Sequence, residues 1–175
     1  SNKLTSFLAP KAEYQTLLTD EHETQQEMLK NLELKEDSYY EIIKHCEEKN
    51  IEFLTTAFDL ESLSIINKFN LKRFKIPSGE ITNYPYLKEI GSLDCPIILS
   101  TGMSRIEEIR DAINVLGEFG ASKDELTILH CTTEYPAPYS DVNLRAMNTI
   151  QKIFDVNIGY SDHTKGIEVA IAAVA

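Results

Sequence analysis

The chain has 175 residues, 42% hydrophobic and 26% charged, the balance of an ordinary globular domain and not of a disordered segment. Its formal net charge of −11 argues against nucleic acid as a partner, because a phosphate backbone selects a basic face; a few lysines in a cleft can still hold a small anion. No apolar run approaches the roughly 18 residues of a membrane span, nothing at the start reads as a signal peptide, and three widely spaced cysteines, Cys46, Cys95 and Cys131, suit reduced thiols in the cytoplasm better than a disulfide framework or a zinc site.

The first 35 residues show little periodicity beyond a short helix predicted at 25–32. From Glu36 the pattern is regular. Tyr39, Ile42, Ile43 and Cys46 fall at helical spacing, and the apolar run 51–58 then reads as a buried strand. Leu60, Leu63, Ile66 and Phe69 predict the next helix. A short strand at 72–77 and a short helix at 86–90 come after it, then a strand at 96–100. Ser104 and Glu107 are spaced as a capping box opening a helix through Phe119. The last elements predicted are a strand at 126–130, a helix at 142–153, a strand at 156–160 and a helix from Gly166. Five strands, each separated from the next by one helix, predict right-handed crossovers and a parallel sheet. The later strand spacing matches the roughly 31 residues per unit of an eight-stranded barrel. Five strands do not close such a barrel, so an open doubly wound sheet stands beside a partial barrel.

The functional signal lies at the C-terminal ends of the strands. The first ends in Thr55, Thr56 and Phe58. The second carries Lys75 and runs into Ser78, Gly79 and Glu80. The third ends in Ser100, Thr101 and Gly102, the fourth in His130 to Thr133 with Tyr135 beyond, and the fifth in Ser161, Asp162, His163 and Thr164. Parallel α/β folds build their sites at these strand ends. A lysine inside a buried strand needs an anion, a carboxylate partner or a cavity. Glu80 is either that partner or a proton-transfer carboxylate. His163 reads as a metal ligand, a base or a structural hydrogen-bonder. His130 on the strand reads as a packed histidine, Cys131 as a small buried thiol, and His22 and His45 as surface positions. There is no G-x-G-x-x-G or Walker A sequence to support nucleotide binding.

Four segments carry a resemblance. Phe74-Lys75-Ile76-Pro77-Ser78-Gly79-Glu80-Ile81-Thr82-Asn83, Ile97-Ile98-Leu99-Ser100-Thr101-Gly102-Met103, Leu129-His130-Cys131-Thr132-Thr133-Glu134-Tyr135-Pro136-Ala137-Pro138 and Ile158-Gly159-Tyr160-Ser161-Asp162-His163-Thr164 together resemble the sialic acid synthase family, in order, within a match running from about Ala9 to the last residue. The resemblance implies a (β/α)₈ TIM barrel, of which residues 1–175 hold about five central units. The family's first two strands, its last strand and its C-terminal antifreeze-like domain are not among them. It implies a cytoplasmic homodimer condensing phosphoenolpyruvate with an N-acylated amino sugar of the N-acetylmannosamine type, using a divalent metal, Mn2+ or Mg2+. A legionaminic or pseudaminic acid synthase of the same family, or a non-catalytic barrel fragment, are the alternatives. Carried over by position, Lys75, Thr56, Ser78, Ser100 and Ser161 resemble the phosphoenolpyruvate donors, and Glu80 with Lys75 the catalytic pair. Phe58, Thr133 and Tyr135 resemble the amino-sugar wall, and His163 one of two metal histidines. With the family's other metal histidine and a catalytic glutamate outside it, the isolated chain is expected to be catalytically silent.

Overall fold

The computed structural model describes residues 5–16, 19 and 22–175, and the chain divides into two compact units, Ser1–Phe53 and Leu54–Ala175. The first holds helices α1 (Glu13–Thr16), α2 (Gln25–Leu32) and α3 (Glu36–Glu48). Helix α2 starts on a reciprocal cap: the Glu27 N–H donates to Thr24 Oγ1 at 3.2 Å, and the Thr24 N–H to the Glu27 carboxylate at 2.9 Å. Helix α3 ends in a Schellman turn. Asn50 takes φ 53°, its N–H donates to the Glu47 carbonyl, and the Ile51 N–H reaches back to the Cys46 carbonyl at 2.9 Å.

The second unit carries the chemistry-bearing loops. Its elements are α4 (Leu60–Ile66, continued by a 3₁₀ turn at Asn67–Phe69), β1 (Phe74–Ile76), α5 (Tyr84–Gly91), β2 (Ile97–Ser100), α6 (Ile106–Glu118), β3 (Leu126–Cys131), α7 (Arg145–Phe154), β4 (Asn157–Ser161) and α8 (Glu168–Val174). The strands form one sheet in the order β1-β2-β3-β4, every pair parallel. Lys75 lies opposite Ile98, Ile98 opposite Thr127, and Cys131 opposite Ser161. Because side chains alternate along a strand, Phe74, Ile76, Ile97, Leu99, Leu126 and Ile128 share one face. All are buried in the core with Leu87 and Ile90 of α5, Ile109 and Leu116 of α6, and Ile150 and Phe154 of α7. The opposite face carries Lys75, Ile98, Ser100, Thr127, Leu129, Cys131 and Ser161.

The parallel α/β architecture and four of the predicted strands are observed. The strand expected at 51–58 is not: among the described residues the sheet has four strands, and 51–58 joins no ladder. The reason is local. Ile51 spends its N–H on the α3 cap and is 63% exposed, while the Ala57 carbonyl accepts the Tyr86 hydroxyl at 2.6 Å. The α6 cap also shifts by one residue. The N-cap is Arg105, not Ser104, and its N–H donates to the Glu108 carboxylate at 2.7 Å. Helix α7 begins three residues later than expected, after a 3₁₀ turn at Tyr139–Asp141. Among the described residues no helix is long and apolar enough to cross a membrane.

Candidate active site

The non-core face of the sheet ends in a group of polar side chains. Lys75 comes from the middle of β1, where its neighbours Phe74 and Ile76 are buried. Burial lowers its ammonium below the ordinary lysine value, an effect opposed by the Cys131 sulfur on the same face. No ion pair joins Lys75 to any described residue. Ser100, on β2 and on the same face, is 3% exposed and its Oγ has no hydrogen-bond partner among the described residues. A buried hydroxyl without a partner and a half-buried cation without a carboxylate are both costly. A phosphate or carboxylate oxygen between them would relieve both costs.

The loops after β1, β2 and β3 meet at Gly102. This residue has φ 52°, and a Cβ there would sit 2.6 Å from Ser78 Oγ and 2.8 Å from Thr133 Cγ2. Only a residue without a side chain allows the three loops this approach. The Gly102 N–H donates to Cys131 Sγ at 3.2 Å, so the buried Cys131 is a packed acceptor, in keeping with a small buried thiol. Thr133, read as part of the sugar wall, thus stands beside Ser78 of the anion set.

Glu80 lies on the 3₁₀ turn Ser78–Glu80 that succeeds β1. Asn83 holds its carboxylate, donating from Nδ2 at 2.6 Å, while Asn83 Oδ1 accepts the Tyr86 N–H at the start of α5. Tyr86 is fully buried, and burial, then the charges of Glu80 and Asp59, raises its hydroxyl far above the ordinary value. Its hydroxyl proton therefore stays in place and fixes Ala57 between Thr56 and Phe58. Asp59 caps α4 by accepting the Ser62 N–H at 2.7 Å. Burial raises this carboxyl, but the Ser62 and Glu61 donors outweigh it and hold the group below its usual range. Thr56 and Phe58 are thus placed by a phenol and a helix cap rather than by a strand ladder. Sequence reasoning missed Asn83 and Tyr86. Asn83 had a readable signal, an N-cap residue two positions before Pro85.

His163 lies just beyond β4. Its Nδ1 is in hydrogen-bond contact with the Thr132 carbonyl, which assigns the ring proton to Nδ1 and the lone pair to Nε2. Nε2 is 3.4 Å from Ser161 Oγ, and the Tyr135 ring lies over the imidazole with centroids 4.4 Å apart. Asp162 points elsewhere: its carboxylate accepts the Thr164 N–H at 2.9 Å, and that donor holds it below the usual range. His163 is therefore presented as a metal ligand would be, its far nitrogen fixed by a neighbour. Among the described residues no three His, Cys, Asp or Glu side chains come together as a metal-binding group. His130 projects to the same face as Ile128, packs on Tyr160 at 5.7 Å and is held below its ordinary value by burial, so it stands apart from His163.

The NeuB family profile matches residues 1–175. The chain is 53% identical over 170 residues to the N,N'-diacetyllegionaminic acid synthase of Campylobacter jejuni, covering 97% of this chain and 51% of that protein. It is 45% identical to the Legionella pneumophila protein of the same name, covering 99% of this chain and 49% of that one. Among solved structures it resembles an N-acetylneuraminic acid synthetase from Leptospira borgpetersenii, determined in complex with citrate, with a TM-score of 0.76 at 31% identity over 81% of this chain and 49% of that one. The chain spans about half the length of these relatives. With its polar residues gathered at the ends of successive parallel strands and the profile matched from end to end, the chain belongs to the NeuB family.

Proposed function

We propose that the full-length gene product carrying this chain is a phosphoenolpyruvate-dependent nonulosonic acid synthase, and that these residues supply its anion-binding wall. The observation that carries the reading is the pair of unmet needs on one sheet face: Lys75 without a carboxylate partner and the buried Ser100 Oγ without a hydrogen bond among the described residues. Phosphoenolpyruvate brings a phosphate and a carboxylate. Ser78, Ser161 and Thr56 complete the donor set, and Thr133 with Phe58 and Tyr135 line the amino-sugar side.

In this reading the four strands are a sector of a (β/α)₈ barrel. A doubly wound sheet reverses its strand order at a switch point and covers both faces with helices. Here the order runs β1 to β4 without reversal, and the fully buried aliphatic side chains of β1 to β3 lie on one face while the other holds Lys75, Ser100 and Ser161. That is the division between the outside and the lumen of a barrel.

The chemistry is a condensation with hydrolysis. Carbon 3 of phosphoenolpyruvate forms a bond to the aldehyde carbon of the open-chain sugar, whose oxygen takes a proton. Water adds at carbon 2, and the carbon–oxygen bond breaks to release phosphate and leave a 2-keto acid. Lys75 and the hydroxyls hold the departing phosphate and the carboxylate. Glu80, aimed by Asn83, is the proton-transfer group beside the reacting carbons. His163 would hold a divalent metal, Mn2+ or Mg2+, which supplies Lewis acidity toward the sugar aldehyde when bound. A cytoplasmic homodimer belongs to the same reading.

The amino sugar is the open choice between N-acetylmannosamine and its legionaminic or pseudaminic counterparts. Identities of 53% and 45% to proteins named as legionaminic acid synthases favour the legionaminic branch. Phosphate release by the full-length product, measured with phosphoenolpyruvate against a panel of N-acylated hexosamines, tests both levels. Release with a diacetylated sugar only supports that branch, and release with N-acetylmannosamine only returns the reading to sialic acid. No release with any sugar, from a folded metal-supplied sample, would overturn the synthase reading.

A further inference from the structure

Three separate contacts hold the loop after β4 to the loop after β3, two at His163 and one at Lys165. The His163 Nδ1 meets the Thr132 carbonyl. The His163 carbonyl accepts the Ala137 N–H at 2.8 Å. Two residues on, the Lys165 carbonyl accepts the Tyr139 hydroxyl at 2.7 Å, with Glu168 Oε2 3.3 Å from the same oxygen. The Tyr135 ring, tilted 35° at 4.4 Å, covers the imidazole from the side of the same β3 loop.

We propose that Tyr135 and Tyr139 are positioning residues for His163, Tyr135 by blocking rotation of the imidazole and Tyr139 by tying down the backbone that carries it. The inference rests on the reading of His163 as a metal ligand and deepens it. An imidazole rotates about its last side-chain bond over a broad, nearly two-fold profile. One hydrogen bond at Nδ1 does not by itself prevent the ring from turning over, which would break that bond and put a ring carbon where Nε2 now stands. A ring packed at 4.4 Å does, because the flipped imidazole has to pass through the space that Tyr135 fills. This assigns the Tyr135 ring a task that needs its aromatic body. The assignment for Tyr139 is the reverse: the hydroxyl is the group in contact, and the ring is more than half exposed.

The test uses the full-length product, labelled with 15N-histidine and assigned by comparison with His163→Gln, at a pH where the ring is neutral. The wild type is expected to show a single Nδ1–H tautomer for His163. Tyr135→Leu is expected to show mixed tautomers and a Mn2+ dissociation constant raised about tenfold, the scale of losing a group that orients a metal ligand. Tyr135→Phe is expected to match the wild type in both. Tyr139→Phe removes the exposed hydroxyl that contacts the Lys165 carbonyl and Glu168 and is expected to raise the constant about threefold. Because it leaves the ring in place, it serves if Tyr135→Leu does not fold. A wild-type tautomer and wild-type metal affinity in Tyr135→Leu would overturn the role of Tyr135, and unchanged affinity in Tyr139→Phe that of Tyr139. If His163→Gln binds Mn2+ as tightly as wild type, the ligand reading fails on its own, and the tautomer signal alone then decides whether Tyr135 holds the ring.

Discussion

The two faces of the four-stranded sheet are made from the same strands and differ in almost everything else. On one, Ile76, Leu99 and Ile128 are completely buried, and their worth is packing and water exclusion. On the other, Ile98, Thr127 and Leu129 are only partly buried, and among the described residues Ser100 Oγ has no hydrogen-bond partner and Lys75 no ion pair. The first face has spent its interactions on the fold, and the second holds them in reserve for a ligand. Stability and function are therefore separable here by single substitutions one residue apart.

The largest effect tests that separation directly. Leu99→Ala in the 175-residue chain should cost about 2–5 kcal/mol, the usual range for a fully buried leucine. Ile98→Ala, its neighbour on the other face, should cost about 1 kcal/mol, in line with its partial exposure. Urea unfolding of both variants measures the difference. In the full-length product a closed barrel would bury Ile98 as well, so there the two costs should converge. Persistence of the gap in the longer protein would count against closure.

Lys75→Met comes next, with effects of opposite sign in two assays. Phosphoenolpyruvate binding to the full-length product should weaken by about 2–5 kcal/mol, the loss expected when a buried charge partner is removed, as read by calorimetric titration. Folding should become no weaker. Because burial depresses the Lys75 ammonium, the unfolded chain holds this proton more tightly than the folded one. Wild-type stability should therefore rise as pH climbs from the folded value toward the ordinary lysine value, and Lys75→Met should lose that rise.

Tyr86→Phe removes one oxygen and leaves the Ala57 carbonyl unpaired in the core. It should cost about 1–3 kcal/mol and loosen Thr56 and Phe58, seen as faster amide exchange across 54–59. The smallest effect belongs to His130. Burial lowers its imidazole below the ordinary value, so as pH falls the unfolded chain takes up this proton first. Stability should decline below about pH 6.5 and level off once the folded ring protonates. His130→Gln should flatten that slope in a thermal-melt series.

Much of this was legible in the apolar pattern. The strands at Phe74–Ile76, Ile97–Ser100, Leu126–Cys131 and Asn157–Ser161 fall where alternating or continuous apolar runs meet polar strand ends. The run at 51–58 has the same look and makes no ladder. Apolar pattern reports burial, and it does not report which group takes each backbone N–H and C=O. Here the α3 cap takes the Ile51 N–H and Tyr86, 29 residues away, takes the Ala57 carbonyl. The site shows the same limit. Lys75 stood out because a charge inside a buried strand is unusual, and Ser100 and His163 because polar residues end one strand after another. The Thr132 carbonyl that sets the His163 tautomer did not, because a backbone oxygen has no letter in the sequence.

The alternation along these strands also bears on how such proteins diverge. In β2 the core letters are Ile97 and Leu99 and the pocket letters are Ile98 and Ser100; in β3 the core letters are Leu126 and Ile128 and the pocket letters are Thr127, Leu129 and Cys131. A lineage under selection for a new sugar can rewrite one set while purifying selection holds the other. Descendants should then accumulate replacements with a two-residue rhythm inside each strand. Position parity within a strand, more than distance from the substrate, would forecast which replacements a population tolerates.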